Sequence, residues 1–322
     1  MPHQTLASHI SQNVSAALNE DLRPLSPTLM EQLAIRLGEQ TTPAKSMAIS
    51  RSREGEQERR YAALVDNDLT AQLIPAAQTA TAGIISRQKA VLCGAPWFEE
   101  CFRILDPNCE IHWMAQEGTL VRPNQQLCTV QGNTRALLSA ERCALNFLQT
   151  LSGTATLTRR YVEAVAGIDT KIMDTRKTLP GLRIAQKYAV RIGGGHNQRT
   201  GLFDGVLIKE NHIAAAGGIG AVLEQAFRII PPSVPIQIEV ESLTQLDEAL
   251  NAGARLILLD NFSLADMRTA VAHTAKRAEL EASGGIALDN VRNIAETGVS
   301  RISIGALTKD VTAVDLSMRI VN

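Results

Sequence analysis

Between Lys171 and His212 the chain concentrates side chains that hold anions. Eight Lys or Arg (Lys171, Arg176, Lys177, Arg183, Lys187, Arg191, Arg199, Lys209) stand there against three acids (Asp174, Asp204, Glu210), although the 322-residue protein has a formal charge of only −1. Arg grips a planar carboxylate through a fork of donors, whereas Lys offers a point charge suited to phosphate. Further on come Glu239, Asp260 and Glu281. A cationic flank beside an acidic one suits a carboxylate-rich substrate together with a sugar phosphate bound with a divalent metal. The acids would hold Mg²⁺ through water, hydrogen-bond ribose hydroxyls, or stabilise a developing cation.

These residues fall where short apolar runs stop. The strand candidates are TKIMD (170–174), YAVRIGG (188–194), DGVLIK (204–209), IQIEV (236–240), RLILLD (255–260), AELEAS (278–283) and RISIG (301–305). Helical patterns lie between several of them, at 215–230, 243–253, 264–277 and 289–298. Alternation of β and α every ~20–25 residues predicts parallel strands with helical crossovers, closed as a compact seven-stranded barrel. In such a barrel every strand's C-terminal end lies at one mouth. That mouth collects Asp174, Arg176 and Lys177, then His196 and Arg199, then Lys209, and finally Glu239, Asp260 and Glu281. The turns Ser283-Gly284-Gly285 and Ser303-Ile304-Gly305 can present backbone N–H groups to a phosphate. Gly217-Gly218-Ile219-Gly220 is only a fragment of a dinucleotide-binding turn, because no strand precedes it. Lys187 and Arg191 read as helix and strand surface.

The first half of the chain has another rhythm. Residues 5–40 predict two surface helices divided by Pro24 and Pro27, and 41–60 a polar loop or an edge strand. From Tyr61 to Gly132, short segments (YAALV, ATAGIIS, CEIHWMA, EGTLV, QLCTVQG) alternate with turn residues, which predicts a small sandwich-type α+β domain. A long helical stretch follows from Thr134, with Gly153 a point of interruption and Arg142 on a solvated face. The five cysteines include no CxxC pair, so thiols in a reducing compartment are expected. Near-neutral charge argues against nucleic acid as partner, and no apolar run reaches the ~18 residues of a membrane span. The protein is expected to be cytoplasmic.

With these residues on the page, the chain resembles the quinolinate phosphoribosyltransferase family, also called nicotinate-nucleotide pyrophosphorylase (carboxylating). The motifs are ERCALNFLQTLSGTAT, DTRKTLPGLR, KYAVRIGGGHNQRTGLFDGVLIKENH, IEVES, LLDNF, EASGGI and ISIGALTKDV. The resemblance implies an N-terminal open sandwich-type domain (1–145, joined by 311–322) and a barrel domain (146–310). It implies transfer of phosphoribosyl from PRPP to quinolinate with loss of CO₂, assisted by Mg²⁺; a non-decarboxylating relative, nicotinate phosphoribosyltransferase or a molybdenum-transport paralogue, is the alternative. By resemblance Arg176, Arg199 and Lys209 would hold the quinolinate carboxylates, with His196 beside them, and Lys177 would bind PRPP phosphate. Glu239 and Asp260 would serve the ribose and, through water, its metal, and Ser283, Gly284 and Gly305 would line the phosphate site. Arg142 would reach the pocket of a partner subunit, making the protein a homodimer. One departure stands out: where the family often has Asn-His-Arg, this chain has Asn197-Gln198-Arg199.

Overall fold

The computed structural model of the chain describes residues 5–23 and 64–321. The second of the two expected N-terminal helices and the polar loop or edge strand after it lie outside those residues. The first is helix α1 (Leu6–Leu22), whose buried Ile10, Val14, Leu18 and Leu22 follow the helical repeat. Thr5 caps it, its side-chain oxygen accepting from the Ser8 N–H.

Strands β1 (Thr79–Ser86), β3 (Glu110–Trp113) and β5 (Gln126–Asn133) stand where turn-bounded apolar runs predict them. The short pair β2 (Ala90–Val91) and β4 (Leu120–Val121) forms a separate ribbon. Leu64–Val65, expected at a strand end, is helical instead. The Asn67 and Asp68 N–H groups donate to the Leu64 and Val65 carbonyls, closing a turn, and the Asp68 carboxylate then accepts from the N–H groups of Thr70 and Ala71. Helix α2 (Ala95–Leu105) packs Trp97, Phe98 and Phe102 into this first core.

Helix α3 (Thr134–Ala164) then runs 31 residues without the break expected at Gly153. A Cβ at Gly153 would stand 2.2 Å from the Thr312 carbonyl oxygen, so this glycine serves close approach of the returning chain and not a bend. The first core takes side chains of α3 as far as Ala155, and Tyr161 joins the second.

The second unit is a parallel sheet, β6 (Lys171–Met173), β7 (Val206–Ile208), β8 (Ile236–Val240), β9 (Leu256–Asp260), β10 (Glu279–Ser283) and β11 (Arg301–Ser303), in the order β6-β11-β10-β9-β8-β7. Six strands form, not seven. The run 188–194 belongs to helix α4 (Arg183–Ile192), because Ala185 and Ala189 fit a helical stripe that begins upstream of Tyr188. All that remains of the expected second strand is one parallel bridge, Met173 to His196. Helices α5 (Glu210–Ala216), α6 (Ile219–Ile229), α7 (Leu243–Asn251), α8 (Leu264–Thr274), α9 (Val291–Ala295) and α10 (Ala306–Lys309) complete the unit. The last strand, β12 (Leu316–Val321), returns to pair antiparallel with β1, giving the sheet order β12-β1-β5-β3. Among the described residues no helix is long and apolar enough to cross a membrane.

Helix propensity alone would favour Gly153→Ala by ~1 kcal/mol. The overlap with Thr312 reverses that sign, so the variant should be destabilised by about 1–3 kcal/mol in equilibrium urea unfolding. A raised midpoint would contradict the crossing of the two segments.

Candidate active site

The strands of the parallel sheet alternate in chemistry. Ile238, Val240, Ile257, Leu259, Leu280, Ala282, Ile302 and Ile304 pack outward against helices. The residues between them, Gln237, Glu239, Leu258, Glu281, Ser283, Arg301 and Ser303, line a cavity of about 690 Å³ inside the sheet's curve. A period of two thus writes an apolar face and a polar face on the same strands.

Into this cavity project most of the residues singled out from the sequence: Arg176, Lys177, Arg199, Lys209, Glu239 and Ser283. Arg176 and Arg199 are neighbours. Burial disfavours the charge on Arg199, and the Arg176 guanidinium disfavours it further. Arg176 also keeps its Nε buried with no hydrogen-bond partner among the described residues. Two guanidiniums held against mutual repulsion, one with an unsatisfied donor, form a receptor for a carboxylate. Arg199 is braced by a bond from its Nη1 to the Gly205 carbonyl, 3.0 Å. Its loop is tied by Asp204, which accepts from the N–H groups of Thr200 and Gly201. Burial alone would push the Asp204 carboxyl up, but those two amides outweigh it and hold it below the usual range.

Lys209 and Glu239 meet across β7 and β8 at 2.9 Å, so the cationic and acidic flanks join. Lys177 lies over Gly305, where an added Cβ would come within 3.2 Å of the lysine stem. Asp260 follows Ser283 in register, and its Oδ2 accepts from Asn261 Nδ2 at 2.9 Å. Gly284 has φ +96° and faces Asn261 so closely that any Cβ would overlap it, at 2.0 Å. Among the described residues no group of three His, Cys, Asp or Glu is arranged to hold a metal.

Five expected site residues are not on the cavity wall: Asp260, Gly284 and Gly305, at the strand ends just described, and His196 and Arg142. His196 is not on the cavity wall; its Nδ1 is 3.0 Å from Arg191. Burial lowers its pKa, as do the charges of Arg191, Lys171 and Arg301. The bridge to Met173 directs the His196 backbone into the sheet and turns the ring toward Arg191, which corrects its expected place beside the substrate. Arg142 is exposed on α3, away from the cavity-lining set.

Lys187, expected at the surface, is buried and is the anchor of the site. Its Nζ reaches Asp174 Oδ1 at 2.6 Å and the Gln198 carbonyl at 2.8 Å. Asp174 is fully buried and also accepts from Asn197 Nδ2 (2.6 Å) and the Gln198 N–H (2.8 Å). Burial raises the Asp174 carboxyl and lowers the Lys187 ammonium, and their attraction opposes both shifts. The cavity also holds Glu281, one of the acids expected at the mouth, and Gln198, the position where the chain departs from the family, together with Gln237, which was not among the expected site residues. The signal for Gln237 lies in IQIEV, where single polar residues alternate with apolar ones.

Replacing Lys187 by Met should cost about 3–5 kcal/mol by stranding Asp174, whereas Lys187→Met with Asp174→Leu should unfold less readily than the single variant. Chemical denaturation of the three proteins tests this ordering. Glu281 provides a pH test. Burial raises its folded pKa above the ordinary 4.5, against hydrogen bonds from the Gln237 and Gln198 amides. The folded chain therefore binds this proton more tightly, so the associated stability is present below 4.5 and is lost as pH rises through the raised value. Asp174 adds to the same trend. Thermal melts across the acid to neutral range should show a shallower decline for Glu281→Gln than for the parent.

Comparison with known proteins agrees with this architecture. The family model described as quinolinate phosphoribosyl transferase, N-terminal domain, matches residues 68–152, and the C-terminal domain model matches 154–319. The chain is 41% identical over 251 residues to the probable nicotinate-nucleotide pyrophosphorylase (carboxylating) of Bacillus subtilis, covering 78% of this chain and 87% of that one. It is 42% identical over 260 residues to the corresponding Mycobacterium leprae protein, covering 78% and 90%. The structure of the nicotinate-nucleotide pyrophosphorylase from Francisella tularensis superposes with a TM-score of 0.82 at 37% identity, over 98% of each chain. With both domain models matched and relatives this similar along most of their length, the chain belongs to the quinolinate phosphoribosyltransferase family.

Proposed function

We propose that the protein transfers the phosphoribosyl group of PRPP to the ring nitrogen of quinolinate and releases the C2 carboxylate as CO₂, giving nicotinate mononucleotide and pyrophosphate for NAD biosynthesis. The observation that carries this reading is the pair Arg176 and Arg199, flanked by Lys177 and Lys209 in one cavity. A dicarboxylate and a diphosphate together need that much positive charge, and a monocarboxylate needs less.

The reaction balances within this set. The pyridine nitrogen carries a free lone pair and attacks C1′ of the ribose as the C1′–O bond to diphosphate breaks. Lys177 stabilises the departing charge, and the carboxylates of Glu239 and Asp260 face the cationic ribose. As the C2 carboxylate departs as CO₂, the pair from the broken C–C bond stays on C2 as an ylide stabilised by the adjacent pyridinium nitrogen, and a proton from solvent bonds to it. No histidine is required as base, which accords with Gln198 standing where the family often has histidine.

Glu239 and Asp260 fit Mg²⁺ in a limited way: each carboxylate has one oxygen without a hydrogen bond among those described, and two such ligands plus diphosphate oxygens and water suit that ion. When bound, the ion would supply charge neutralisation at the diphosphate. The exposed Arg142 supports a homodimer in which each protomer's Arg142 enters its partner's cavity. The cytoplasm is the compartment that fits the five free cysteines, four of them buried.

Incubation with quinolinate, PRPP and Mg²⁺ should yield CO₂ and nicotinate mononucleotide in equal amounts. Nicotinate should be a poor substrate, and Arg176→Ala should lower kcat/KM for quinolinate by ~10²-fold. Equal turnover of nicotinate and quinolinate would refute the assignment.

A further inference from the structure

The cavity floor carries an arrangement that the transfer reaction does not by itself require. Glu281 is 1% exposed, yet among the described residues no basic side chain pairs with it. Its Oε2 accepts from Gln237 Nε2 at 3.1 Å and from Gln198 Nε2 at closer range, and its Oε1 has no partner. Arg301, the nearest cation, is engaged by Glu279. Burying a carboxyl is expensive unless hydrogen bonds compensate, and barrel interiors are ordinarily filled by branched apolar side chains. Retaining Glu281 here makes sense if its contacts orient something.

What they orient is Gln198. A carboxylate oxygen without a proton can only accept, so both carboxamides must turn their NH₂ groups toward it. The second Gln198 amide hydrogen is directed to Gln237 Oε1, 3.4 Å away. Rotating the Gln198 amide would set oxygen against oxygen. Its backbone is equally fixed, with the N–H on Asp174 and the carbonyl on Lys187. Among the described residues the polar atom of Gln198 left without a hydrogen bond is its side-chain oxygen, and Gln198 lines the same cavity as Arg199 and Gln237.

We propose that Glu281 is a positioning residue that locks Gln198 with its carbonyl oxygen toward the substrate ring, and that this neutral, fixed acceptor sets which pyridine dicarboxylate isomer is admitted. The proposal rests on the functional reading above and extends it to the source of selectivity. Arg176, Arg199 and Lys209 attract any dianion, so charge alone does not separate isomers. A carbonyl oxygen repels a carboxylate at the ring position it faces but tolerates a polarised C–H there. An imidazole in its place would donate or accept according to its protonation, whereas the carboxamide of Gln198 behaves alike at every physiological pH.

The test is a double-mutant cycle on the full-length protein with Glu281→Gln and Gln198→Met. Quinolinate turnover is read together with inhibition by pyridine-2,4- and pyridine-2,5-dicarboxylate. Glutamine at 281 offers either an oxygen or an NH₂, so Gln198 is free to turn. The expected result is a KM for quinolinate raised ~10-fold with kcat and the KM for PRPP nearly unchanged, and a preference for quinolinate over the isomers reduced ~10-fold. Gln198→Met, which leaves the buried carboxyl in place, should relax the preference to a similar degree. Adding Glu281→Gln to it should have no further effect, since the first acts through the second. Unchanged isomer preference in either single variant overturns the proposal, as do effects that multiply in the double variant. Failure of the parent protein to convert quinolinate would instead refute the assigned reaction, so the two outcomes are distinct.

Discussion

The site depends on one buried ion pair. Asp174 and Lys187 are 2.6 Å apart, and both are almost entirely removed from solvent. Desolvation works against each charge, so the pair is weak support for stability taken alone. Its worth lies in what else it touches. Asp174 ends β6 and Lys187 lies on α4, and between them they take the Gln198 N–H, the Gln198 carbonyl and the Asn197 side chain. Segment 197–199, which has no sheet ladder to define it, is thereby pinned to a strand on one side and a helix on the other. Arg199 follows immediately, so the position of the guanidinium derives from a carboxylate that never meets the ligand.

The same constraint explains how so much positive charge is tolerated at one place. Arg176 and Arg199 repel each other, and Lys177 and Lys209 stand close by. Flexible side chains would splay apart and lose the convergent field. Here Arg199 is held by the Gly205 carbonyl, Lys209 by Glu239, and the Arg199 loop by Asp204. Each brace uses backbone or a partner acid to keep a cation where a dianion needs it. The long reach of Lys177 is permitted by the bare backbone of Gly305.

How far the sequence reveals this follows from which forces are local. The period-two runs at 236–240, 255–260 and 278–283 became β8, β9 and β10 because alternation suits a sheet with one apolar and one polar face. Glu239, Glu281 and Ser283 reach the cavity for the same reason, whereas Asp260 is not among its lining residues. The run 188–194 was misleading: Tyr188, Val190 and Ile192 alternate, but Ala185 and Ala189 place the same residues on a helix wedged between two cores. Lys187 looked like surface since nothing in its neighbourhood reveals that Asp174, thirteen positions away, is buried against it. Gly153 looked like a helix break because its true contact, the Thr312 backbone, comes from the far end of the chain. Nonlocal contacts decided each of these cases, and no window of local pattern contains them.

Glu281 and His196 bring the two kinds of information together. Both stand near the end of a strand-like run and both carry chemistry-bearing groups, so spacing alone ranks them equally. The pleat separates them. Glu281 falls on the inner face of β10, in register with Leu258 and Arg301, which line the cavity with it. His196 enters the sheet only through a single bridge to Met173, and its ring is left among Arg191, Lys171 and Arg301. A histidine surrounded by three cations is poorly placed to accept a proton, whereas a carboxyl flanked by two amides is well placed to orient them. Facing, set by strand register, thus decides which of two plausible residues can act on a ligand.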